Sequence, residues 1–199
     1  MATKYDLLST LRNVQSGVIS PEEALLQMKL APFEDLGYAK VDYHRAVRQG
    51  ASEVIYGQSK TPEHIAGILE AMQRRDSTNI LVTRIEQETA DWLAERFPLR
   101  YEPLAKLAVV LPRPTEQRGA IVVITGGTSD IGVAEEAAIT AETLGNRVTR
   151  LYDVGVAGLH RLLSQLEPLM KARVVVAVAG MEGALASVVG GLVDCPVIA

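Results

Sequence analysis

The run Ala120-Ile121-Val122-Val123-Ile124 is apolar at every position and ends in Thr125-Gly126-Gly127-Thr128-Ser129-Asp130. A strand without polar alternation suits a sheet covered on both faces, the usual state of parallel sheets. The same rhythm continues to the end of the chain. Strands are predicted at Ala120–Ile124, Arg147–Tyr152, Arg173–Val178 and Cys195–Ala199, with helices at about Asp130–Leu144, Gly158–Leu169 and Glu182–Leu192 between them. Strict strand–helix alternation restricts this half to an α/β fold built on a parallel sheet.

The first half is punctuated differently. Ser20-Pro21-Glu22-Glu23 is a capping box with proline at the first helical position. Thr61-Pro62 opens a helix whose Ile65, Ile68, Leu69 and Met72 share one face. Glu53–Tyr56, Asn79–Thr83 and Leu107–Leu111 read as strands, and Trp92 and Leu93 lie on a helix that ends before Pro98. Asp35 to Asp42 with Arg45 reads as a polar helical start. Pro112-Arg113-Pro114-Thr115-Glu116-Gln117-Arg118-Gly119 breaks the pattern and is the best linker in the chain. Two domains are predicted, a small α/β domain over 1–117 and a parallel-sheet domain over 118–199.

Composition removes several functions. Twenty basic against twenty-four acidic residues give a net charge of −4, and aromatics are 5%, which disfavours nucleic acid as a partner. No apolar run approaches the roughly 18 residues of a membrane span, and the start of the chain is no signal peptide. The single cysteine suits a reducing cytoplasm and excludes an internal disulfide. His44, His64 and His160 show no metal-ligand spacing, so no metal site is predicted.

Ligands of open parallel sheets bind beyond the carboxyl ends of the strands, and every polar cluster of the second half falls there. The first strand ends in Gly126 to Asp130. The second ends in Asp153-Val154-Gly155, followed by His160-Arg161, and the third in Ala179-Gly180-Met181-Glu182-Gly183. Glycines let backbone approach a ligand, and a helix N-terminus offers N–H groups to an anion. A turn capped by Thr128 or Ser129 with no ligand fits the same residues. Asp130 reads as a site carboxylate or as an acid facing the helix dipole. Glu182 stands two residues after Gly180 in an otherwise apolar segment, so it needs a helix N-terminus or a ligand. His160 and Arg161 read as site residues or as solvated ones. Lys60, in Gly57-Gln58-Ser59-Lys60-Thr61, lacks the glycine spacing of a Walker A loop, yet beside a helix start it can hold a phosphate or stay solvated. Cys195, next to Pro196, reads as a small buried hydrophobe opening a strand.

Gly-Thr-Ser-Asp after the first strand, His160-Arg161 after the second and Ala-Gly-Met-Glu-Gly after the third resemble the aminoimidazole-ribotide carboxylase/mutase (PurE-like) superfamily. Asp35-Leu36-Gly37, Glu53 to Gly57, Lys60 to Glu63, Val133 to Ala137, Val154 to Arg161 and Val178 to Leu185 are more closely similar to the LarB family. That family makes pyridinium biscarboxylate mononucleotide in nickel-pincer cofactor biosynthesis. Ser59 stands where the family usually has glycine, and Gly132 and Ala186 stand where it usually has proline.

The resemblance implies a flavodoxin-like, three-layer second domain and carboxylation of nicotinic acid adenine dinucleotide by CO2 or bicarbonate without biotin, with release of AMP. It implies Glu182 as the base, with His160 and Asp130 beside it. Gly126, Gly127, Thr128, Ser129, Arg161, Gly180 and Lys60 would hold the nucleotide. No cofactor is expected to be tightly bound, with room for magnesium at the phosphoanhydride step, and a cytoplasmic homo-oligomer, octameric when complete, is implied. The chain stops inside its last strand at Ala199, so it is expected to be truncated, to lack the family's nucleophilic cysteine and to be inactive alone. Aminoimidazole ribotide carboxylation and non-catalytic nucleotide binding remain the alternatives.

Overall fold

The structure, a computed structural model, describes residues 4–30, 33–43, 45, 51, 53–181 and 183–199. His44 and Glu182 lie outside the described residues. Helices α1 (Lys4–Gln15) and α2 (Pro21–Leu30) pack together at the start. The box at α2 forms in both directions: Glu23 N–H donates to Ser20 Oγ at 3.0 Å, and Ser20 N–H donates to a Glu23 carboxylate oxygen at 2.8 Å.

The polar segment read as a helical start is instead a hairpin. Strands β1 (Phe33–Asp35) and β2 (Lys40–Asp42) pair antiparallel. Its turn rests on Asp35, whose carboxylate accepts Gly37 N–H at 2.8 Å, and on Gly37 at a φ of 83°. An aspartate that bonds the backbone two residues on makes a turn and competes with helix.

Four strands make the first larger sheet: β3 (Ile55–Tyr56), β4 (Ile80–Thr83), β5 (Leu99–Glu102) and β6 (Leu107–Val110), in the order β3-β4-β6-β5. Only β3 and β4 are parallel, joined through α3 (Pro62–Gln73). Helix α4 (Gln87–Ala94) links β4 to β5. Alternate residues face opposite ways along a strand. Ile80, Val82, Ala108 and Val110 meet Ile65, Leu69 and Leu93 in the core on one side, while Leu81, Leu107 and Val109 face the other.

The second sheet is wholly parallel, in the order β10-β9-β7-β8, as its continuous apolar runs predict. Its strands are β7 (Arg118–Thr125), β8 (Asn146–Leu151), β9 (Val174–Val178) and β10 (Val197–Ile198). Helix α5 (Ile131–Thr143) covers one face through Ala134 and Ala138 against Val123. The other face is covered by α6 (Leu159–Leu163), α7 (Leu166–Met170) and α8 (Ala184–Gly190), whose Leu162, Leu169, Leu185 and Val189 pack on Val122, Ile124 and Val175. This is the three-layer PurE-like arrangement.

Where one helix from Gly158 to Leu169 is expected, two short ones form. Pro168 has no N–H to give the carbonyl of Ser164, and its ring crowds that carbonyl, so the helix breaks between α6 and α7. Strand β7 starts two residues before Ala120, and Gly119, at a φ of 69°, absorbs the irregularity in its pairing with β8.

Helix α5 is apolar on two sides because it lies between the sheets. Ile139 packs with Leu81, Leu107 and Val109 of the first sheet, and Arg84 Nε donates to Glu136 at 3.1 Å. The linker between the sheets is tied down by Asn79. Its side-chain carbonyl accepts Arg113 N–H at 2.7 Å, and its amide nitrogen donates to Thr115 Oγ1 at 3.0 Å.

Ser59 has a φ of 66° in the turn closed by Lys60 N–H to Gly57 O at 2.9 Å. The left-handed region costs an L-residue about 1–2 kcal/mol, and glycine's greater unfolded-state freedom returns part of that. Ser59→Gly is therefore expected to stabilise the protein by about 0.5–1 kcal/mol. Urea titration measures it, and an unchanged or lower midpoint contradicts it.

Candidate functional site

Strand β7 lies between β8 and β9, and the chain leaves β7 over one face and leaves β8 over the other. Such a reversal opens a crevice at the carboxyl ends of the strands. A cavity of about 360 Å³ occupies it here. Gly126, Gly127, Ser129, Asp130 and Arg161 supply its polar lining, and Val156, Ala157, Ala179, Met181, Ala184 and Leu185 its apolar lining. Gly155 and Gly180 complete the wall.

Asp130 joins two of the loops that line the cavity. One carboxylate oxygen accepts Gly127 N–H at 3.0 Å and the other accepts Gly180 N–H at 3.3 Å, so one side chain ties the loop after β7 to the loop after β9. Gly126 N–H donates to Val178 O at 3.0 Å. The glycine N–H groups that a bare phosphate cradle would aim at its ligand are thus engaged within the protein. The glycines serve instead through close approach. Neither Thr128 nor Ser129 makes a side-chain cap: the chain enters α5 through a turn of 3-10 helix at Thr128–Asp130, and both residues are exposed.

Arg161, on α6, brings the positive charge. Its Nη1 donates to Asp153, and its guanidinium lies against Gly158, where an added Cβ would meet Nε at 2.6 Å. Asp153 is itself placed by the core: its N–H donates at 2.9 Å to Oγ1 of Thr125, a fully buried residue. The path from Thr125 through Asp153 to Arg161 therefore aims a cation into the crevice from a buried hydroxyl.

The two loops on either side of that path nearly touch. A Cβ on Gly155 would stand 2.4 Å from Gly126 O. Glycine is required there by proximity.

The remaining candidates stand elsewhere. His160 and Thr128 are exposed and do not line the cavity, and Lys60 is exposed in the turn between β3 and α3. Glu182 falls between Met181 and Gly183, outside the described residues. Cys195 is half-buried in the bend before β10, where its expected place was inside the strand, and β10 starts only at Val197. Because β10 runs parallel to β9, Cys195 precedes it at the edge of the sheet opposite the crevice. Among the described residues no three His, Cys, Asp or Glu side chains are grouped to hold a metal ion, and no helix is long and apolar enough to cross a membrane.

Residues 33–112 match the LarB/PurE-like N-terminal domain, and residues 120–199 match AIR carboxylase. The chain is also similar to an uncharacterized protein of Methanocaldococcus jannaschii, 37% identical over 205 residues, covering 97% of this chain and 78% of that protein. The chain belongs to the LarB-type members of the PurE-like superfamily. Its second domain is that of a carboxylase/mutase family. In this LarB-type crevice Asp153 and Gly155, read in the sequence as part of the polar cluster ending the second strand, act on the site together with Thr125 and Gly158, to which the sequence assigned no role. An acidic residue ending a parallel strand eight positions before Arg161 was the available signal, but no helical or strand spacing pairs the two.

Asp130→Ala removes the acceptor shared by two loops. Hydrogen bonds to charged groups contribute about 1.5–3 kcal/mol, and water can reach both N–H groups in an open crevice, so a loss of about 1–3 kcal/mol is expected. Chemical denaturation measures this, and an unchanged stability would show that the loops hold without the carboxylate.

Proposed function

We propose that the protein carboxylates the pyridinium ring of nicotinic acid adenine dinucleotide with CO2 or bicarbonate and hydrolyses the phosphoanhydride, releasing AMP, in nickel-pincer cofactor biosynthesis. The observation that carries the reading is one chain holding both a LarB-type first domain and a carboxylase domain, with a crevice lined by both polar and apolar residues. Arg161 and the Ser129 hydroxyl suit the ligand's phosphate or carboxylate, and guanidinium can engage such groups through two parallel bonds. The apolar lining suits the ring.

A pyridinium ring is too electron-poor to attack CO2. Addition of a thiolate converts it to a neutral enamine, whose carbon forms the new bond to CO2. A base then takes the proton from that carbon, and departure of the thiolate restores the aromatic cation. Glu182 is the proposed base. Cys195, the only cysteine in these 199 residues, stands at the edge of the sheet opposite the crevice, so the reading takes the thiolate of this step from a group outside them. His160 is exposed outside the cavity lining and receives no step. The described residues offer no ligand set for magnesium, so none is routed through it.

A second reading, carboxylation of aminoimidazole ribotide, is favoured by the match of residues 120–199 to AIR carboxylase. The deciding experiment supplies the whole protein with labelled bicarbonate and either nucleotide. Label in a pyridinium product with AMP release supports the first reading. Label only with aminoimidazole ribotide establishes the second, and tight binding of either nucleotide without label leaves a binding protein.

A further inference from the structure

Met181 is the most exposed large hydrophobic side chain among the described residues, at 103% of its reference area, and it stands at the lip of the crevice. Its φ is 54°, in the left-handed region that methionine avoids. The loop that holds it there is pinned at both ends. Gly180 N–H donates to Asp130, and Gly183 N–H donates to Gly180 O at 3.2 Å. An apolar side chain kept in water on strained backbone gains nothing in the free protein. Strain at a site lip is a signature of a residue held ready for a ligand.

What lies behind Met181 indicates which part of a ligand it meets. Ala157, Ala179 and Ala184 are small, and with Val156 and Leu185 they give the cavity, a slot that Arg161 and Ser129 also line, its apolar surface. We propose that Met181 is a specificity-determining residue whose thioether closes this slot over a flat heteroaromatic ring, while Arg161 holds the anionic end. The inference rests on the nucleotide carboxylase reading above and deepens it. Thioethers are flexible, polarizable and favourable against aromatic rings, which suits a side chain that must fold down onto a ring.

The test compares a ligand with the ring and one without it. Nicotinic acid mononucleotide and ribose 5-phosphate are titrated calorimetrically against wild type, Met181→Ser and Met181→Leu. Met181→Ser is expected to weaken nicotinic acid mononucleotide by about three- to tenfold and to leave ribose 5-phosphate within about twofold. Met181→Leu, which keeps an apolar cover, should retain most of the affinity. Full exposure of the side chain makes misfolding no concern, and circular dichroism checks it. Equal weakening of both ligands, or of neither, overturns the proposal. If wild type binds aminoimidazole ribotide in place of nicotinic acid mononucleotide, the dinucleotide reading falls, and the same ratio measured with that ring decides on Met181. Binding of neither ring compound overturns both.

Discussion

Glu182→Gln is expected to leave nucleotide affinity nearly unchanged while lowering turnover of the whole protein by about 10²- to 10⁴-fold, the usual size of a general-base effect. Glutamine keeps the length and the hydrogen-bonding oxygen of glutamate but cannot take a proton. The chain carries Glu182 between Met181 and Ala184, and both of those line the crevice. It also follows Gly180, which Asp130 anchors to the opposite loop. The reading assigns Glu182 the proton that the ring carbon loses. Steady-state kinetics with labelled bicarbonate separates the effect on kcat from that on KM. A fall in affinity equal to the fall in turnover would make Glu182 a binding residue, and unchanged turnover would remove it from the chemistry.

How far the sequence reveals this site depends on the kind of interaction. The second sheet was legible because Val122 to Ile124 and Val174 to Val178 are apolar on both faces, which leaves a covered parallel sheet as the consistent solution. The crevice followed from that sheet, since its place depends on strand direction and order. The hairpin over 33–42 was hidden because a turn bond from Asp35 to Gly37 holds it, and three-residue strands carry no readable period. The split between α6 and α7 was legible in principle from Pro168. The Asp153–Arg161 pair was not, because it forms between a strand end and a helix across a turn of 3-10 helix at Val156–Gly158. Helix α5 was legible as an element, but its two buried sides, Ala134 and Ala138 on one and Ile139 on the other, make sense only once a second sheet lies on it.

Gly155→Ala is expected to be the most damaging methyl group that can be added to the crevice. Gly155 has a φ of −62° and a ψ of 159°, which alanine adopts freely, so backbone freedom does not explain the glycine. Space does. The new Cβ would lie 2.4 Å from Gly126 O, 3.2 Å from its carbonyl carbon and 3.4 Å from its Cα. Each contact is backbone, so no side chain can swing away. Gly126 cannot retreat easily either, because its N–H is bonded to Val178 O and a Cβ-sized gap beside it is filled by Ala179 and Asp130. The loops after β7 and β8 must therefore separate, straining the bonds of Val154 N–H to Thr125 O and of Asp153 N–H to Thr125 Oγ1 that aim Arg161. Overpacking of a well-filled site costs about 1–3 kcal/mol and more where neighbours cannot yield, so a loss of about 3 kcal/mol is expected, with loss of phosphate affinity. Gly190→Ala is the control. It lies in α8 with open space around it, and alanine in a helix is favoured over glycine by up to about 1 kcal/mol, so that variant should be neutral or stabilised. Urea unfolding and ribose 5-phosphate titration of the two variants decide the matter. If Gly155→Ala matches Gly190→Ala in both, the close approach of the two loops is not what shapes the crevice.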